Sequence, residues 1–318
     1  MKPNPSQIRD LVLLFAASTA AGFLVPVLPF VGIPLGGFAL GWIAYRYGTV
    51  ASIGLALWSA VVVAVLGPLA IGAVPQDALF VAVALLTAGP VAAWALRSYS
   101  IYTVVLFTAL TAAAAYLLAP IGAQTLKDSI AFSRQLLDSL VASGSVSDPD
   151  AVKEGSTALL AQMSATWPST VFYTMAPGMA LAVGLVSRAG RSLGVESSVY
   201  PPLADTDLSF HIVWPAIAGL ALLAAGTFLG TAQGTVYAIG LNTLMIVRPA
   251  LALQGMSVFA ALYRKIGVGT VMRAIGYVLL GLTELLVPSL SVLGLVDLFF
   301  NLRKRARAGA GPRADAKA

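Results

Sequence analysis

Arg248-Pro249, then Gln254-Gly255, then Gly294-Leu295-Val296-Asp297-Leu298-Phe299-Phe300-Asn301-Leu302-Arg303-Lys304-Arg305 punctuate a region, residues 236–307, that is predominantly apolar. Arg248, Glu284 and Asp297 stand within it where hydrocarbon would be. An apolar run of more than about 18 residues reads as a transmembrane helix, and an ionisable group inside one must find a partner or water. These charges are therefore the most informative residues of the chain.

The rest of the sequence agrees with a membrane setting. Of 318 residues, 58% are hydrophobic and only 10% charged, against about one quarter charged in soluble proteins. The mean hydropathy is +0.89. Thirty Gly and 18 Pro lie inside apolar runs, where membrane helices tolerate them as packing and kink residues. Cysteine is absent and His211 is the single histidine. That excludes disulfides, thiolate metal sites and cysteine nucleophiles, and gives no basis for a histidine-built metal site or any other cofactor. The net charge of +6 gathers at the ends of apolar runs, so membrane topology explains it better than nucleic acid does.

Ten apolar runs fall near residues 11–30, 33–45, 50–74, 79–96, 102–121, 168–186, 210–231, 236–262, 271–287 and 289–300. The first is long enough to be a span rather than a signal peptide. The last measures about 18 Å as a helix against a core of about 30 Å, so it is expected to be re-entrant or tilted after a bend at Pro288. The expected architecture is an all-α polytopic bundle with about nine spans plus this short segment. Residues 1–305 read as one transmembrane domain.

With the N-terminus inside, Lys2, Arg9, Arg46, Arg97, Arg188, Arg191, Arg264, Lys265, Arg273 and the basic tail share one side, and only Lys127, Arg134 and Lys153 face the other. The positive-inside rule then places the protein in an inner membrane with both termini in the cytosol. Residues 122–166 become polar and carry two helical patterns separated by Ser143-Gly144-Ser145 and Asp148-Pro149. They read as an external helical hairpin, either a lid or a connector resting on the membrane surface. Residues 306–318 read as a disordered basic cytosolic tail held near anionic headgroups, with RNA contact the weaker alternative.

No phosphate loop, nucleophile elbow, His-Glu-x-x-His or Ser-x-x-Lys motif is present, so an enzyme is not expected. Gly294-Leu295-Val296-Asp297 lacks the second glycine of the Gly-x-Gly-Asp of intramembrane aspartyl proteases. Arg248 lies about 24 Å along a helix from Arg264, beyond the reach of its side chain to an interface. Left alone it would cost about 2.5–3.5 kcal/mol. Glu284 is about 16 Å in from Arg273 and is its leading partner. The pair is either a structural ion pair or the lining of a substrate cavity, in which Gln254 would orient an anionic ligand. Asn242 and Gln254 add hydrogen-bonding groups that serve equally as interhelical glue. Asp297 sits about 9 Å from Arg303 and reads as a local structural anchor paired with Arg303 or Lys304. His211 reads as an interfacial residue rather than a proton carrier.

Leu251-Ala252-Leu253-Gln254-Gly255-Met256-Ser257-Val258, together with the closing run through Asp297 and Arg303, resembles the uncharacterised bacterial membrane family typified by YybS. Residues 207–215, entered through His211, Trp214 and Pro215, fit the same pattern. That family is similar to the substrate-binding S components of energy-coupling-factor transporters. The resemblance implies an S-component-like helical core with additional helices, a small-molecule or vitamin-like ligand, and separate membrane subunits to energise uptake. Two functions are expected on these grounds: a transporter-like binding protein, or a membrane scaffold or regulator with a dry, ion-paired core that acts through its cytosolic loops and tail; other membrane subunits or a homo-oligomer are the expected partners. The topology is directly testable because the chain has no native cysteine. A cysteine introduced at Ser143 is expected to react with an impermeant maleimide from the outside of intact cells, and labelling from the cytosolic side alone would reverse the assignment.

Overall fold

The computed structural model describes residues 5–72, 75–143, 149–195, 202–229 and 234–303. Among these residues the elements are all helical. Seven helical stretches are long and apolar enough to cross a membrane, or eight if a pair bent by 102° is one span. Large apolar side chains such as Val50, Leu69, Leu118 and Phe228 are exposed, as lipid-facing surfaces require. The chain is an all-α polytopic membrane bundle.

Contacts group the chain into two compact units, residues 1–200 and 201–318, a division that the uniform succession of apolar runs does not announce. The first unit contains α1 (Pro5–Val27), α2 (Pro29–Tyr47), α3 (Thr49–Ala70), α4 (Ala78–Leu86), α5 (Ala92–Ala95), α6 (Ile101–Leu118), α7 (Pro120–Ala142) and α8 (Pro149–Ser192). The second contains α9 (Val213–Phe228), α10 (Thr235–Lys265), α11 (Thr270–Leu286) and α12 (Ser289–Phe300).

Within the first unit α2 is the central element. Its residues Ile33, Leu40, Ile43 and Ala44 are buried, and its glycine face lets α8 and the turn between α4 and α5 approach closely. A Cβ at Gly37 would press on Ala182 and Ala88, and one at Gly41 on Val186. Counted as a span from its sequence, α2 is not among the seven, because Pro29, Pro34, four glycines and Arg46 dilute its apolar content. Close packing is what those residues supply instead.

The second hairpin helix continues into the apolar run that begins at Pro168: α8 runs unbroken for 44 residues, about 66 Å, with Pro168 and Pro177 inside it. Each proline removes one backbone donor. In apolar surroundings, leaving the helix would unsatisfy more groups than these two prolines do. The hairpin is thus α7 plus the first part of a spanning helix, and α7 is anchored at its start by the buried Asp77, whose Oδ1 accepts from Ile121 N–H at 3.0 Å.

In the second unit α10 is the spine. Ala216, Val247 and Leu251 form one apolar cluster against Ile212, Leu295 and Leu298, and Ala204, Ala260 and Ala261 form another. Between them α10 and α12 cross at Gly255 and Gly294: a Cβ on Gly255 would overlap the Leu290 carbonyl, and one on Gly294 the Leu251 carbonyl. Backbone meets backbone there, so no side chain can be accommodated. The expected 306–318 tail and Lys304 lie outside the described residues. Gly255→Leu or Gly294→Leu is expected to lower unfolding stability in detergent by about 3 kcal/mol, the upper end of the usual cost of overpacking, because the added carbon meets backbone. Gly54→Ala, whose Cβ would meet nothing within 4 Å, is expected to be neutral.

Candidate functional site: two polar clasps in the second unit

Pro288 ends α11 because a proline ring cannot continue a helix and brings no N–H. The carbonyl it would have served, four residues earlier, is that of Glu284. One Nη of Arg248 donates to this carbonyl instead. The Nε of the same guanidinium donates to Glu284 Oε1 at 2.9 Å, so one planar fork grips backbone and side chain together.

The Glu284 carboxylate is turned toward the next helix. Its Oε2 accepts from Leu290 N–H at 2.7 Å and Ser291 N–H at 3.2 Å, and Ser291 Oγ approaches Oε1 at 2.5 Å. Leu290 and Ser291 open α12, where backbone donors have no intrahelical acceptor. A carboxylate at a helix start and a guanidinium at a helix end both oppose the local helix dipole favourably. Ser291 Oγ also lies 3.1 Å from the Arg248 carbonyl, tying α12 to α10. Glu284 is buried, while the Arg248 side chain stays 34% exposed.

A second clasp lies one to two turns further along α10. Gln254 is fully buried; its Oε1 accepts from Leu208 N–H at 3.1 Å and its Nε2 donates to Asp297 Oδ2 at 2.8 Å. Since one partner only donates and the other only accepts, the amide orientation is fixed. Asp297, also fully buried, accepts from Arg303 Nε at 2.6 Å and Arg303 N–H at 3.2 Å. Arg303 then reaches the Thr206 carbonyl and Asp207 Oδ1, the latter at 2.9 Å. Asn301 makes this return possible by adopting a left-handed conformation, φ 48°, at the end of α12, a role that asparagine fills more readily than other non-glycine residues.

Residues 203–209 are fastened along α10 by these bonds and by a two-pronged contact of Arg264 with Asp205 at 3.0 and 3.3 Å. Asn242 donates to the Ala238 carbonyl of its own helix at 2.7 Å. His211 is exposed at the turn before α9. Among the described residues no group of three His, Asp or Glu side chains gathers to hold a metal.

The structure therefore brings Arg248 to Glu284 and Asp297 to Arg303. It separates Gln254 from the first pair and attaches it to the second. Sequence reading passed over Ser291, Thr206 and Leu208 because two of the three contribute through backbone atoms. Only Ser291, in the first turn of the helix that follows Pro288, offered a signal.

A described cavity of about 450 Å³ lies elsewhere, in the first unit, and is lined by residues of α7 and α8 rather than by Arg248 or Glu284. Within the second unit the clasps satisfy helix ends and pair buried charges. Breaking a buried pair by removing one partner costs roughly 3–5 kcal/mol. Arg248→Met is expected near about 3 kcal/mol, the lower end of that range, because part of its side chain is exposed. In a double-mutant cycle with Glu284→Gln, measured by unfolding in detergent, the losses are expected to be non-additive; simple additivity would show that the contact contributes nothing.

No curated protein and no solved structure matches this chain. A family model described as "Predicted membrane protein (DUF2232)" matches residues 13–298. The match runs from the first helix of the first unit into α12 and takes in Arg248, Gln254, Glu284 and Asp297, but not Arg303. The chain therefore belongs to this family of predicted membrane proteins, DUF2232.

Proposed function

We propose that this integral membrane protein is a non-catalytic scaffold or regulatory interaction protein whose polar residues in the second unit are architectural. One observation carries the reading: the Glu284 carboxylate receives the Arg248 Nε, the Ser291 hydroxyl and two N–H groups of α12, while its carbonyl receives a second nitrogen of Arg248. A carboxylate and guanidinium so committed make a poor pair for exchanging with a solute, since each exchange would also undo a helix end. Gln254, with both ends of its amide bonded and no exposed surface, is equally occupied. The excess of Lys and Arg on one side of the runs supports an inner-membrane orientation with cytosolic termini. Partners of such a scaffold would be other membrane subunits or a second copy of the chain.

The alternative is a transporter-like protein related to S components, with Arg248 meeting an anionic ligand. Native mass spectrometry of detergent-purified wild type, Arg248→Lys and Arg248→Ala separates the two. Lysine keeps a cation for a ligand but cannot reach carboxylate and carbonyl together. The architectural reading expects both variants to lose stability with no change in co-purifying small molecules. A solute retained by wild type and Arg248→Lys but lost from folded Arg248→Ala would overturn it.

A further inference from the structure

The span α6 ends at Leu118 and α7 starts at Pro120, while residues 149–167 of α8 precede the apolar run that opens at Pro168. Because α8 is one continuous helix, its first part prolongs the direction of the span for about 28 Å, bent only as far as a proline kink allows. Ile130 and Arg134 face Ser156 to Ser164 across one groove, so α7 runs beside it. The hairpin therefore stands out from the bilayer. Phe132, Leu136 and Leu140 lie about 18, 24 and 30 Å along α7 from Pro120, whereas headgroups extend only about 5–7 Å beyond the hydrocarbon. These side chains are 66%, 51% and 43% exposed, and lipid does not account for them.

The stripe they form, at i, i+4 and i+8, is free of charge. At about 100° per residue, the four charged residues of α7, Lys127, Asp128, Arg134 and Asp138, lie roughly 80–180° around the helix from Leu136. Ser133 and Ser139, at its edges, donate to the Ser129 and Leu136 carbonyls of their own helix at 2.8 and 2.7 Å, so the stripe can be dried without stranding either hydroxyl. Leu159 of α8, also exposed, widens it. Leu136 and Leu159 each precede a more buried leucine, Leu137 and Leu160. In antiparallel helices the same rotation away from the contact line leads to the same side of the pair.

From these observations we infer that this apolar side of the hairpin is a contact between two copies of the chain, related by a two-fold axis along the membrane normal. The face is about 20 Å long and one helix pair wide, roughly 400 Å², about half of what each partner gives to a standard interface. That is too little to hold a partner from solution, and enough where the membrane already keeps the partner alongside. The partner also has to raise an apolar stripe to the same height. A second copy in the same bilayer does so by symmetry, and each stripe residue then meets its own copy. Like charges would repel there, and the stripe holds none. Ser129, at its base, suits the same arrangement, since a hydroxyl both donates and accepts. The inference deepens the scaffold reading, on which its choice of a protein partner rests; its test reads chain-to-chain contact and not solute, so the two fail separately.

The full chain has no native cysteine, and single cysteines are oxidised with copper phenanthroline in native membranes. Leu136→Cys and Leu140→Cys are expected to give disulfide-linked dimers, and Arg134→Cys and Asp138→Cys, on the far side of α7, none. Leu136→Glu is expected to weaken association about a hundred-fold, the cost of like charges juxtaposed in an interface, read by energy transfer between labelled chains as vesicles are diluted with lipid. Leu136→Lys is expected to do the same, and a mixture of the two to restore transfer, which only self-contact predicts. Leu136 is exposed, so an unchanged unfolding temperature is expected of each variant. Equal crosslinking at positions 136 and 138, no crosslink along the stripe, or no rescue in the mixture overturns the proposal. So does crosslinking of position 136 to a different protein, or quenching of a fluorophore there by brominated lipid, which would place the stripe in the bilayer.

Discussion

In hydrocarbon every backbone donor and acceptor has to be satisfied by the protein, and the break between α11 and α12 is where this constraint bites hardest. A chain that bends by 102° at Pro288 strands carbonyls on one side and N–H groups on the other. Glu284 and Arg248 resolve both at once. The carboxylate closes the start of α12, and the guanidinium takes up the carbonyl that Pro288 leaves without a donor. The deep arginine, costly if alone, becomes the group that makes a helix break tolerable.

The second clasp depends on the same helices approaching without side chains between them. Gly255 and Gly294 bring the backbones of α10 and α12 together, which sets Gln254 and Asp297, their near neighbours in sequence, side by side in a dry interior. There the hydrogen bond and ion pair gain strength, and an unpaired group would be correspondingly expensive. Asn301 turns the chain so that Arg303 completes the set. Small residues, buried amide, buried acid and left-handed turn thus act as one device that fixes how α12 lies on α10 and how residues 203–209 are pinned beside it.

The first unit solves a different problem with fewer charges. Its glycine-faced central helix α2 packs by close contact, and its one long helix α8 carries a polar hairpin segment and a membrane segment as a single rod.

Composition and the spacing of apolar runs alone determined that this is an all-α polytopic membrane protein, because burial of apolar side chains and internal pairing of backbone groups leave helices as the solution. They also identified Arg248 as a charge in need of an acid, named Glu284 as the candidate, and placed Arg303 within reach of Asp297, since distance along a helix follows from residue number. Tertiary structure decided the rest. It placed Gln254 on Asp297, 43 residues away, kept α8 whole through two prolines, and divided the chain into two units. It also recruited the backbone of Thr206, Leu208 and Leu290, whose side-chain identities carry no trace of the role. Partners across helices are set by crossing angle and rotation about the helix axis, and these emerge only when whole surfaces pack.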